Sequence, residues 1–173
     1  MDEIKAGFQF TDHRINKLTV NNSLVGISEE MALQLSLAFK PCPAKKANKD
    51  GLYLGRLKLL VETSGQDPVR EGKGISIELE VEGLFCASED AMDISVFNKM
   101  LAINGLATLY SIARSIIISI SAQCCTSGQM RIPMLDMVEV YKASTEKAQV
   151  DSAGEHEQGE SQSLSGFTND QLG

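Results

Sequence analysis

The side chains of this sequence that could do chemistry are few and scattered. Glu78, Glu80 and Glu82 recur every second residue, so on a strand they would share one face. Carboxylates do acid–base work when they flank a cleft, whereas a row of them along an open sheet reads as a solvated, charged face. Gly72-Lys73-Gly74 is the fragment nearest to a phosphate loop. Such a loop needs Gly-x-x-x-x-Gly-Lys-Ser/Thr after a strand, so this one reads as turn material. His13 falls on a predicted strand and reads as a surface or hydrogen-bonded core group. Cys42, Cys86, Cys124 and Cys125 contain no Cys-x-x-Cys, and His13 and His156 do not complete a zinc site with them. The four read as buried, reduced thiols. There is no Gly-x-Ser-x-Gly elbow and no Ser-x-x-Lys pair. The expectation is therefore a non-enzyme with no metal and no cofactor.

Those residues sit on a regular frame. In residues 32–40, Leu33, Leu35, Leu37 and Phe39 alternate with Gln34, Ser36 and Ala38, the period of a half-buried strand. Residues 74–85 alternate more strongly: Ile75, Ile77, Leu79, Val81 and Phe85 point one way, Ser76 and the three glutamates the other. Between these runs, Tyr53, Leu57, Leu59 and Val61 share a face opposite Arg56, Lys58 and Glu62. A first strand over residues 7–20 has Phe8, Phe10, Leu18 and Val20 on one parity, with Thr11 and Ile15 on the other. That mismatch predicts a bulge or bend near residues 12–14. Residues 65–72 are rich in turn formers and close an antiparallel hairpin. Setting Ser64 opposite Gly74 matches Leu57 with Val81, Leu59 with Leu79, Lys58 with Glu80 and Arg56 with Glu82. A four-stranded antiparallel sheet with one wet face follows.

After Phe85 the period changes. Over residues 105–125, Leu106, Leu109, Tyr110, Ala113, Ile117, Ile120 and Cys124 form a helical stripe of five turns, roughly 30 Å long. Ile116 and Ile118 lie off that stripe, so the helix wants neighbours on two sides, a sheet and another subunit. A shorter helix is predicted over residues 135–142 after Pro133, with Asp136 and Glu139 in its first turns. Residues 86–104 read as a long crossover holding one amphipathic piece, residues 96–101. Met92 and Met100 lie in the crossover, and Met130, Met134 and Met137 beside or within the last helix. Unbranched and polarizable, these methionines either fill the core or line an adaptable groove. The fold class is α+β.

Composition bounds the function. Of 173 residues, 43% are hydrophobic and 23% charged, which excludes collagen-like and wholly disordered chains. A net charge of −7, no basic stripe and no Trp exclude a nucleic-acid partner. The acidic start lacks the apolar run of a secretory signal. Ser111, Arg114, Ser115, Ser119, Ser121 and Gln123 interrupt the most apolar stretch, against a membrane span. With reduced thiols, the expected location is cytoplasmic. Residues 144–173 carry Glu146, Asp151, Glu155, Glu157, Glu160 and Asp170 against Lys147, with few large apolar residues. They read as an acidic disordered tail on a domain of residues 1–143.

In element order and in three local stretches, the sequence resembles the SecB-like protein-export chaperones. Glu80-Val81-Glu82-Gly83-Leu84-Phe85 is similar to the family's strand-four ending in Gly-aliphatic-Phe. Leu109-Tyr110-Ser111-Ile112-Ala113-Arg114 is similar to its Phe-Pro-Tyr-Ala-Arg motif, and Phe8-Gln9-Phe10 to its first strand. The likeness spans residues 7–142. Ser111 stands where the family usually has proline. Ile132-Pro133-Met134-Leu135-Asp136-Met137 stands where it shows Leu-x-Pro-hydrophobic-Asn-Phe.

The resemblance implies an ATP-independent holdase serving protein transport and translocation. It implies a homotetramer, a dimer of dimers, with Tyr110, Arg114, Ile117 and Ile118 on the shared long helices. Clients would be unfolded or precursor polypeptides. They would lie in an apolar groove of Leu84, Phe85, Val96, Phe97, Met100, Leu101, Met134, Leu135, Met137 and Val138. The family's exporters dock the motor SecA through first-strand acids. Lys17 and Asn21 stand at those positions, which leaves docking to Glu78 and Glu80. The same substitutions suit a SecB-like chaperone uncoupled from SecA that guards a dedicated labile partner such as an antitoxin. A small α+β ligand-binding protein, the remaining alternative, would show an enclosed polar pocket.

Overall fold

In a computed structural model of the chain, residues 7–28 and 30–144 are described. They belong to two compact units, Met1–Met137 and Val138–Gly173. Apart from Ser144, the expected tail of residues 144–173 lies outside the described residues. The four expected strands are β1 (Gln9–Asn22), β2 (Leu33–Cys42), β3 (Leu52–Gln66) and β4 (Gly74–Ser88). They form one antiparallel sheet in the order β1-β4-β3-β2. Consecutive in the chain, β1 and β2 lie at opposite edges, three strand spacings or roughly 14 Å apart. Residues 23–32 make that crossing and are held to the end of the long helix. There Ile27 N donates to Ser127 O (2.9 Å) and Thr126 N to Val25 O (2.7 Å).

The β3–β4 hairpin differs in register from expectation by two residues. Ser64 pairs with Ser76, Leu59 with Val81, Leu57 with Gly83 and Lys58 with Glu82. The turn decides this. Asp67 N donates to Lys73 O, and Asp67 Oδ1 accepts from the N–H groups of Val69 and Arg70 at 2.9 and 3.1 Å. Those two bonds hold the Asp67 carboxyl below its usual range. Gly72 supplies the left-handed conformation, at φ 74°. An even slip keeps every side chain on its face, so the core pattern survives it. β1 contains not one bend but two register shifts, between Phe10 and Asp12 and between Ile15 and Lys17. The first flips side-chain parity and the second restores it. Phe10, Ile15, Leu18 and Val20 therefore pair with Phe85, Val81, Leu79 and Ile77 on one face.

The expected crossover is largely helix. α1 (Ile94–Met100) runs through a π turn (Leu101–Gly105) into α2 (Leu106–Cys124) without a break. The π turn has a packing reason. Phe97 and Leu101 are four residues apart, Leu101 and Leu106 five, and Leu106, Leu109, Ala113 and Ile117 continue the row; all are fully buried. The extra residue rotates α2 so that both stretches face the sheet. By length and composition, helix Ile94–Cys124 is apolar enough to cross a bilayer. Its buried row instead meets Leu57, Leu59, Val61, Leu79, Val81 and Phe85, all at 0% exposure. Asn98 fastens the β2–β3 connection to α1 through two 3.0 Å bonds with the backbone of Ala44. A last helix, α3 (residues 137–144), begins two residues later than expected. It carries a Lys142–Glu139 ion pair at 2.7 Å.

Candidate functional site

Two surfaces of the first unit carry the chemistry. The wet face of the sheet is a ladder of charges centred on Glu82. That residue is not solvated as expected but 5% exposed. Its carboxylate accepts from Arg14 Nη2 (2.9 Å) and Asn16 Nδ2 (3.3 Å), with Arg56 Nη1 at 3.5 Å and Lys58 Nζ at 3.9 Å. The Arg14 bond holds the Glu82 carboxyl below its usual range, against the opposing effect of burial. Glu78 is bonded by Lys17 Nζ at 2.7 Å, and Glu80 by Asn16 Nδ2 at 2.8 Å, with Lys58 Nζ at 3.8 Å. Both proposed docking acids thus have a cation against them. The ion pairs expected from the wrong register, Lys58–Glu80 and Arg56–Glu82, are present as diagonals. A concavity of about 840 Å³ opens at one end of the sheet, with Asn21, Gln34, Ser64, Ser76, Val20 and Ile75 in its lining. Among the described residues, no group of three or more His, Cys, Asp or Glu is placed to hold a metal.

The helix-bearing face is apolar and only partly covered. α1 and α2 pack along the two central strands, β3 and β4. On edge strand β1, Phe10, Ile15 and Leu18 remain 39%, 48% and 38% exposed. Leu109 lies where a Cβ on Gly83 of β4 would strike it. Ile112 and Ile116, both half-buried, lie on that same flank of α2. An apolar strip therefore runs between α2 and β1. At its α1 end Phe8 stacks on Phe85 with ring centroids 5.4 Å apart, and Phe97 lies 5.6 Å from Phe8 and 5.8 Å from Tyr53. His13 stands at the strip's edge, its ring 5.9 Å from Phe10.

The expected groove residues do not form one exposed surface. Strand alternation puts Leu84 beside Arg14, Arg56 and Glu82 on the charged face, opposite to Phe85. Phe85, Phe97 and Leu101 are fully buried between helix and sheet, and Met137 is 6% exposed. The first three are core because the continuous helix closes over what was read as an open crossover; Met137, at the start of α3, is buried as well. Val96, Met134 and Val138 are exposed, and Met100 and Leu135 half-buried.

Of the residues expected on shared helices, Ile117 faces the sheet and Ile118 is half-exposed on the outside. Tyr110, 4% exposed, and Arg114 hold the segment that follows the helix. Tyr110 Oη donates to Pro133 O (2.7 Å) and Arg114 Nε to Ile132 O (2.8 Å). Burial pushes the Tyr110 phenol up, with Arg114 opposing, so it remains a donor at neutral pH. The cysteines are not buried: Cys42 and Cys124 are exposed, Cys86 and Cys125 half-buried, and all four are free. Sequence reasoning missed Glu82, whose burial depends on register, and Ile15, which shares a face with Phe10 and Leu18 only because of the two shifts on either side of it.

No protein-family model matches the chain, and no curated protein is similar to it in sequence. Among solved structures, the chain is similar to the Mycobacterium tuberculosis SecB-like chaperone Rv1957, solved in complex with a ChAD peptide from the Rv1956 HigA1 antitoxin. The TM-score is 0.51 over 74% of this chain and 87% of that chain, at 11% identity. At such identity the likeness is one of architecture. A four-stranded antiparallel sheet followed by a long helix and a short helix gives this chain a SecB-like fold.

Proposed function

We propose that the protein is an ATP-independent holdase chaperone that binds unfolded polypeptides through exposed apolar surface. The observation that carries this reading is the strip of Phe10, Ile15 and Leu18 beside an isoleucine flank of α2. It is contiguous apolar surface next to no catalytic cluster, of the kind that marks interaction sites. Binding the unfolded chain and not the native one retards aggregation by mass action, with no nucleotide required. A dedicated labile client, such as an antitoxin, is favoured over export. The solved structure of similar fold holds an antitoxin peptide. The two acids left for SecA docking, Glu78 and Glu80, are engaged by Lys17 and by Asn16 and Lys58. Free cysteines suit the reducing cytoplasm. A homotetramer would cover part of the apolar surface and leave the rest to clients. The test is a pull-down with the purified protein, in which capture of an unfolded client and capture of SecA are scored separately. Client without SecA is expected. Failure to retain any unfolded client overturns the holdase, and retention of SecA restores export.

A further inference from the structure

The wet face of the sheet is polarised, and its basic end is not neutralised from within. Register sets one rung of that face as Arg14, Glu82, Lys58 and Lys40, one residue from each strand. Lys40 therefore stands directly opposite Lys58, and like charges opposed across a sheet repel. Lys58 has Glu80 and Glu82 near its Nζ, at 3.8 and 3.9 Å. Lys40 is exposed and has no ion pair among the described residues. The acidic counterpart of this rung, Glu62 opposite Glu78, lies four residues along β3 from Lys58, roughly 13 Å away.

The next rung is Asp12, Leu84, Arg56 and Cys42. Arg14 and Arg56 converge on Glu82 from the strands on either side of β4, Nη2 of the first 2.9 Å from Oε2 and Nη1 of the second 3.5 Å from Oε1. The buried carboxylate fixes where the two guanidiniums sit, yet their side chains remain 67% and 62% exposed. Each keeps N–H donors for a ligand. Between them is a concavity of about 210 Å³ with Leu84 in its lining. Asp12 borders it as well, its Oδ1 accepting from the His13 N–H at 2.7 Å. Leu54, 47% exposed, lies on the same face two residues before Arg56. Two planar guanidiniums beside a small apolar floor match carboxylates that flank an aliphatic side chain.

We infer that this basic end of the sheet, Arg14, Arg56, Lys58 and Lys40 around Leu84, is a docking site for an acidic polypeptide segment, with an aliphatic side chain in the concavity and carboxylates on the cations beside it. The two rungs set the sign of the occupant, since those four cations stand against Glu82 and Asp12 alone. The apolar floor and the two acids set its class. A nucleic-acid duplex carries a phosphate charge about every 1.7 Å and would be repelled by those acids and by a chain of net charge −7. The site is opposite in sign to Glu78 and Glu80, the acids considered for SecA docking. It lies on the other face of the sheet from the strip of Phe10, Ile15 and Leu18, so it goes beyond the holdase reading and leaves the client surface free.

The probe is a dye-labelled, amidated pentapeptide in which one leucine stands between two pairs of aspartates. It is titrated into the full-length protein at low salt and followed by fluorescence anisotropy. Lys40→Gln and Arg56→Gln together should weaken binding at least tenfold, and the same peptide with asparagines in place of the aspartates should not bind. Lys73→Gln, which removes one cation in the β3–β4 turn, should leave the affinity within twofold. Lys40→Gln alone should raise the urea midpoint of the free protein, because it relieves the repulsion with Lys58, while it weakens the peptide at least threefold. A purely structural lysine would not move stability and binding in opposite directions. No binding of the peptide to the wild type, or an equal loss in Lys73→Gln, would overturn the site. Tighter binding of a dye-labelled oligothymidylate that is lost in the same double variant would overturn the polypeptide assignment in favour of a nucleic acid. The double variant should retain unfolded clients as the wild type does, and loss of clients together with the peptide would overturn a separate site. A wild type that binds the peptide but retains no client keeps this site and loses the holdase.

Discussion

Lys58 stands directly opposite Glu82 across β3 and β4, and its Nζ lies 3.9 Å from Glu82 and 3.8 Å from Glu80. One lysine therefore serves two carboxylates of successive rungs. Glu82, in turn, gathers Arg14 and Arg56 from the strands on either side of β4. Three strands are tied at one buried oxygen pair, which makes this the point where the charged face bears on stability.

Glu82→Gln should cost about 1–3 kcal/mol, because it removes the charge that those cations are bonded to. The pH dependence has a definite sign. Glu82 titrates lower in the folded state than its usual 4.5. Its contribution is complete above that value and is lost as pH falls through the lowered pKa. Urea midpoints of wild type and variant should therefore converge on acidification. A gap that stays constant from neutral pH to well below that lowered pKa would show that the carboxylate's charge is not responsible.

Two glycines at the contact of helix and sheet, Gly83 in β4 and Gly105 in the π turn, should respond oppositely to alanine. A Cβ on Gly83 would lie 2.7 Å from Leu109 and 2.9 Å from Phe85, both fully buried. Gly83→Ala should cost about 1–3 kcal/mol through displacement of α2. A Cβ on Gly105 finds its nearest neighbours at 3.4 Å, and the residue is helical. Gly105→Ala should be neutral or stabilise by up to about 1 kcal/mol. Denaturant melts of the two variants decide between them.

Phe97 and Val96 are adjacent but should behave differently. Phe97 is fully buried, so Phe97→Ala should lower stability by about 3–5 kcal/mol. Val96 is 46% exposed, and Val96→Ser should leave the melting temperature nearly unchanged. If Val96 contributes to client binding, its variant will lose affinity with no loss of fold, and a titration with an unfolded protein reads that directly.

The proposed assembly can be broken at its outer surface. Ile118 is half-exposed on the side of α2 turned from the sheet, so Ile118→Asp should shift the sedimenting species from four chain masses to smaller ones. Circular dichroism should show the sheet intact. A wild-type protein that sediments as a monomer at micromolar concentration would remove the tetramer.

Much of this architecture was legible in the residues themselves, since the signals involved are local. Leu33 to Phe39, Leu57 to Val61 and Ile75 to Val81 alternate because each strand presents one face to the helix, and that alternation exists before any strand has a partner. The row from Leu106 to Ile117 likewise declares its own period. In the site, the resemblance singled out Tyr110 and Arg114 on the long helix, though not their hydrogen bonds to the segment that follows it.

What required the folded chain is everything set by pairing. A two-residue slip of the β3–β4 hairpin moves no side chain to the other face, so apolar periodicity cannot distinguish Lys58 opposite Glu80 from Lys58 opposite Glu82; the hydrogen bonds of Asp67 do. The two bulges of β1 return Ile15 to the face of Phe10 and Leu18, and a single run of alternation cannot record two compensating shifts. The π turn joins α1 to α2 because Phe97 and Leu101 must meet the same sheet as Leu106, a condition imposed by the sheet and absent from the helix. Residues 130–133 lack any period of their own. Their conformation is set by Tyr110, Arg114 and Ser121, side chains 9 to 23 residues away that supply the hydrogen bonds a strand would have found in a neighbour.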